Sequence, residues 1–173
     1  MGSDMTRNWR ISSISGALLA LYFIPVWTMI AFSIMVSPIH ALFERPNIAY
    51  ALFASDHMQL AGMATVRFAW ILALVRITVV AFFALFLVFV TRASIRKSGG
   101  SNEALAMALE IGVVISFAGV LMASLAGETA ALRMHAAELL MMLGTGIVML
   151  VEGPVQEQAD TGTASGKLSL QQT

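Results

Sequence analysis

Four stretches of this chain are apolar over at least the length of a bilayer-crossing helix, and nothing else restricts its fold as strongly. They are 14–36, which reads "ISGALLALYFIPVWTMIAFSIMV", then 63–90, 104–126 and 130–151. A hydrocarbon core about 30 Å thick takes about 20 helical residues to cross. In lipid every backbone N–H and C=O needs a partner within the protein, which leaves helices or a closed barrel. The period-two alternation of barrel strands is absent. The expected fold is therefore all-α, a polytopic membrane protein whose four transmembrane helices form a bundle.

Composition agrees. Hydrophobic residues make up 58% of the chain and charged residues 12%, against about a quarter charged in a soluble domain. Formal net charge is zero and no basic block stands out, so nucleic acid is not an expected partner. Cysteine is absent, which excludes disulfides, thiolate nucleophiles and cysteine-ligated metal centres.

Residues 1–13 form an N-terminal segment, and the spans with their connections occupy 14–152. The first run is read as a retained anchor rather than a secretory signal, because it is long, contains Pro25 and Trp27, and lacks a small-x-small cleavage site. Pro25 removes one helical hydrogen bond and is expected to kink this span. Basic residues set the orientation. Arg7, Arg10, Arg92, Arg96 and Lys97 flank one side, and only Arg45, Arg67 and Arg133 the other. Both termini are thus expected in the cytoplasm, with the protein in the cell inner membrane.

The connection 37–62 is too apolar for a free loop and too interrupted by Pro38 and Pro46 to span. It reads as a short outer interfacial helix, with Pro46 in its first turn and Ile48, Tyr50, Leu52 and Phe53 at headgroup level. The tail 153–173 is small and polar and is expected to be disordered. No internal repeat is evident.

Span three carries a stripe of small residues. Ala104, Ala108, Gly112 and Ser116 recur every four positions, and after a step of three the series resumes with Gly119, Ala123 and Gly127. Positions four apart share a helical face, and small residues there let another helix approach closely. The stripe suits packing within the chain, or a seam to a second copy or a partner membrane subunit. Glu110 lies about 200° around the helix from Ala108 and Gly112. It must therefore meet another helix, protonate or reach water, and it is a candidate ion or proton site.

Arg76 interrupts the apolar run of span two. It lies about 21 Å from the end near Val90, and Glu138 about 10 Å from the opposite end of span four, so their depths nearly coincide. Arg76 shares its face with Ala69, Ala73, Val80 and Ala84, as an inward residue would. Arg67, half a turn around, can snorkel to the interface. The expectation is an Arg76–Glu138 pair inside the bundle, with His135 three residues from Glu138 on the same face. Such an intramembrane polar cluster holds helices in register, binds an anion, or modulates a proton-bearing carboxylate.

No catalytic set is complete, so an enzyme is not expected. His135 and Glu138 are spaced His-x-x-Glu, the reverse of the di-iron motif, and no second copy exists. Met134, Met141, Met142 and Met149 are spaced for packing rather than for one copper site. "LGTGIV" lacks the Lys and Ser/Thr of a phosphate loop, and no nucleophile accompanies His135 as a hydrolase requires. No metal and no cofactor are expected; a b-type haem held by His40, His57 or His135 is the one weighed. Three functional classes follow: an accessory, assembly or scaffold subunit of a membrane complex first; a small transporter or channel component using Arg76, Glu138 and Glu110 second; a haem- or quinone-linked redox protein third.

Overall fold

The computed structural model describes residues 11–92 and 99–170, with side chains through residue 152. Its elements are α1 (Ile11–Val36), α2 (Pro38–Leu42), α3 (Ile48–Asp56), α4 (Gly62–Thr91), α5 (Gly100–Ala126) and α6 (Thr129–Leu170). Helices α1, α4, α5 and the Thr129–Glu152 part of α6 are each long and apolar enough to cross a membrane. The protein is thus an all-helical membrane bundle.

The four long helices form a ring in which α1 packs on α4, α4 on α5, α5 on α6, and α6 back on α1. Consecutive spans are neighbours, and from α4 onward the connections are short, as antiparallel pairs require. The turn from α5 to α6 shows how little chain this takes. Gly127 ends α5 at φ 71°, a conformation glycine adopts without steric cost, and the Glu128 N–H donates to the Ala123 carbonyl at 3.0 Å. Gly127 is exposed, so it belongs to this turn and not to the packing stripe where its spacing placed it. The other six stripe residues, Ala104 to Ala123, are buried and face helices of the same chain.

Two layers of side chains fill the ring. Toward the end that holds Ile11 and Glu152, Phe23, Phe83, Phe86, Leu105 and Met142 make an apolar core, with Phe23 and Phe83 stacked at 5.8 Å. Toward the connection end, Ile34, Leu42, Ala69 and Ala73 gather around Tyr50. At the far end, Glu152 accepts hydrogen bonds from the Ile11 and Ser12 N–H groups at 2.8 and 3.1 Å. A carboxylate from the last span thereby satisfies orphan donors at the start of the first, where the helix dipole also favours negative charge.

The chain also departs from the sequence reading in the connection and after the last span. The connection does not simply lie on the surface. It forms α2 and α3, and Asn47, Tyr50, Ala51 and Ala54 are buried along one face of α3 and its cap, packed on α5. Pro46 precedes the Asn47 cap instead of occupying the first turn of the helix. The tail expected to be disordered over 153–173 has helical backbone through Leu170. Extending an existing helix gains a hydrogen bond per residue without repeating the nucleation cost.

Candidate functional site

The buried polar groups cluster in the connection half of the ring. Arg76, His135 and Glu138 are 2%, 2% and 4% exposed, a depth at which charged groups persist only with partners. Local folding explains each position. Arg76 follows Ala69 and Ala73 on the inner face of α4, where small residues leave room for a long side chain. His135 and Glu138 are one turn apart on the inner face of α6.

The expected direct pair of Arg76 with Glu138 is not formed. Among the described residues, the carboxyl of Glu138 instead meets the ring of His135, whose Nδ1 lies 3.1 Å from Oε2. The other carboxylate oxygen accepts a hydrogen bond from Trp27 Nε1 of α1 at 3.2 Å. Arg76 turns to the connection instead, donating from Nη1 to Oδ1 of Asn47. Its guanidinium carbon also sits 5.5 Å from the Tyr50 ring centroid and 6.0 Å from that of Trp27, within reach of a cation–π attraction. Trp27 thus meets both Glu138 and Arg76, and Tyr50 meets Arg76 and His135.

Asn47 is the hinge of this arrangement. As the residue before α3 it is placed to cap that helix, yet its side chain makes no capping bond. It points inward, with Nδ2 donating to the Ala41 carbonyl at 2.9 Å and Oδ1 accepting from Arg76. One amide thus ties α2, α3 and α4 together.

Tyr50 completes the cluster. Its hydroxyl donates to the Ile115 carbonyl of α5 at 2.8 Å, and the His135 ring meets it edge-on at 5.4 Å and 80°. Burial pushes the Tyr50 phenol up to about 12 from 10.0, with the Arg76 cation opposing and the Glu138 carboxylate reinforcing the shift. The folded protein therefore holds this proton where the unfolded chain has lost it, so the stability it supports is complete below pH 10 and declines as pH rises toward about 12. Tyr50→Phe is expected to lose about 1 kcal/mol at neutral pH and to remove that alkaline decline. Comparing unfolding with tyrosinate absorbance in both proteins checks it; an unchanged decline in the variant would refute the assignment to Tyr50.

Gly119 makes the close approach possible. A Cβ at this position would lie 2.7 Å from the His135 ring and 2.8 Å from the Tyr50 oxygen. Three buried polar atoms of the region, Arg76 Nε, Ser116 Oγ and His135 Nε2, have no hydrogen-bond partner from the protein.

The remaining candidates lie elsewhere. Glu110 is exposed on α5, away from the stripe. His40 and His57 are exposed on the connection, His57 stacking on Phe53 at 5.0 Å, whereas His135 is enclosed against Glu138 and Tyr50. Among the described residues no three His, Asp or Glu side chains converge as metal ligands would. Of the span-four methionines, Met142 is buried and Met141 exposed, so they do not share a face. Sequence reasoning missed Trp27, Asn47 and Tyr50 as members of the cluster. The available signal was an amide at 47 and a phenol at 50 opening the apolar run of 48–54.

No family model, curated protein or solved structure matches this chain.

Proposed function

We propose that the protein is a non-catalytic scaffold or assembly subunit of a membrane complex, seated in the cell inner membrane with both termini in the cytoplasm. One observation supports the role above the others: the buried polar groups find their partners on different segments of the chain. Trp27 comes from α1, Asn47 and Tyr50 from the connection, Arg76 from α4, the Ile115 carbonyl from α5, and His135 and Glu138 from α6. A network of this kind fixes the mutual arrangement of the helices, because each group moved out of place leaves another unsatisfied in low dielectric. Ion passage asks for the opposite, charged groups that exchange partners readily. The orientation is supported by Arg7, Arg10, Arg92, Arg96 and Lys97 on one side of the spans.

The test has two arms. In gently solubilised native membrane the protein is expected to migrate in an assembly well above its own 18.5 kDa, and proteoliposomes holding it are expected to leak protons and ions no faster than empty vesicles. A monomer in native membrane, or a flux abolished by Arg76→Ala, would overturn the scaffold role.

A further inference from the structure

Because α5 turns its small residues inward, its opposite face is presented to lipid. Met107, Glu110, Val114, Phe117 and Leu121 are exposed there. All but Glu110 suit acyl chains. The 27 residues of α5 extend about 40 Å, overhanging a core of about 30 Å by about 5 Å at each end. Glu110, ten residues into α5, is therefore about 10 Å inside the hydrocarbon. Its side chain leans toward the helix start, the nearer surface, but is too short to reach it.

The other charged residues on the spans escape this problem. Arg67 and Arg133 are exposed close to the starts of α4 and α6, where long side chains snorkel. Glu103 lies in the first turn of α5, and Glu152 is engaged by α1. Among the described residues Glu110 is the one charged side chain exposed at depth, and it has no hydrogen-bond partner. An intramembrane carboxylate calls for a cation or donor beside it.

We infer that this face of α5 docks one transmembrane helix of a partner protein, and that the partner helix carries a lysine or arginine level with Glu110. Charge complementarity selects a different protein over a second copy. Two copies meeting symmetrically through this face would set Glu110 against Glu110, and the described exposed arginines, Arg45, Arg67, Arg92 and Arg133, all lie near helix ends or on the connection. Phe117 and Met107, on either side of the carboxylate, give the partner apolar surface to pack on. The inference rests on the scaffold role and names the chemistry of what is assembled.

A designed leucine–alanine transmembrane peptide with one lysine about 10 Å inside the hydrocarbon is the probe, with an all-apolar peptide as its control. The chain has no cysteine, so Thr91→Cys, at the end of α4, supplies a single dye site for energy transfer in vesicles. The lysine peptide is expected to associate at a peptide-to-lipid ratio about tenfold lower than the control, equivalent to about 1.4 kcal/mol. Glu110→Leu is expected to erase the difference without lowering the melting temperature, because the side chain supports nothing inside the bundle. Equal association of the two peptides, or a preference that survives Glu110→Leu, would overturn the inference. So would self-association of two labelled copies that Glu110→Leu abolishes. A large native assembly combined with no lysine preference removes this inference alone, whereas a native monomer removes the scaffold role beneath it.

Discussion

Arg76→Leu is expected to be among the most damaging single substitutions in the chain, costing about 3–5 kcal/mol of stability. The change removes the donor to Asn47 and the cation lying over Tyr50 and Trp27. It also leaves Glu138 negative in a region that has lost its balancing charge. Glu138→Leu is expected to cost a similar amount by stranding the Trp27 N–H and the His135 ring. The double variant should lose less than the sum, by about 1–3 kcal/mol, because an apolar pair is cheaper to bury than one uncompensated ion. Recovery stays incomplete, since Asn47 still lacks its partner. Unfolding in mixed micelles for the two singles and the double measures the coupling. Strict additivity would mean that the two charges, which do not touch, also do not sense each other.

Gly119→Ala is the second large effect. A methyl there would sit 2.7 Å from His135 and 2.8 Å from the Tyr50 oxygen. Neither neighbour can yield without cost, because His135 is held by Glu138 at 3.1 Å and Tyr50 by the Ile115 carbonyl at 2.8 Å. A loss of about 2–3 kcal/mol is expected, at the upper end for overpacking. Gly112→Ala is the internal control. Its methyl would lie 2.6 Å from the Met142 sulfur, but a thioether swings aside easily, and alanine is the better helix former by about 1 kcal/mol. Gly112→Ala should therefore change stability little. Thermal unfolding of both variants decides the matter; equal losses would show that the stripe acts only as a spacer, with no special role for the residues facing Gly119.

The sequence made some of this legible and hid the rest for a physical reason. Hydropathy varies along the chain, so the four spans could be read from it directly. The small residues of α5 repeat at the helical period, so their common face could be read as well. How one helix turns relative to another is not a property of either alone. Arg76 and Glu138 could be set at one depth by counting, yet Trp27 takes up a carboxylate oxygen of Glu138 and the guanidinium lies by Tyr50, and no count along α4 or α6 reveals a ring contributed by α1 or α3. The connection was the hardest segment. Ile48, Leu52 and Phe53 are apolar beside the buried Ala49, Tyr50 and Ala51, so the helix looks greasy all round, and its pattern does not say which side meets the bundle. Only Asn47, a polar residue that forgoes its capping bond, marks the side turned inward.

The contact of Glu152 with the first residues of α1 has a topological meaning. By joining the beginning of the spanning region to its end, it closes the four helices into a cycle in which every span has two neighbours. A row of helices has terminal members that can be traded between copies, which is how domain-swapped dimers arise. A cycle has none. Closure of the cycle through Glu152 requires α1 and α6 to be in place together.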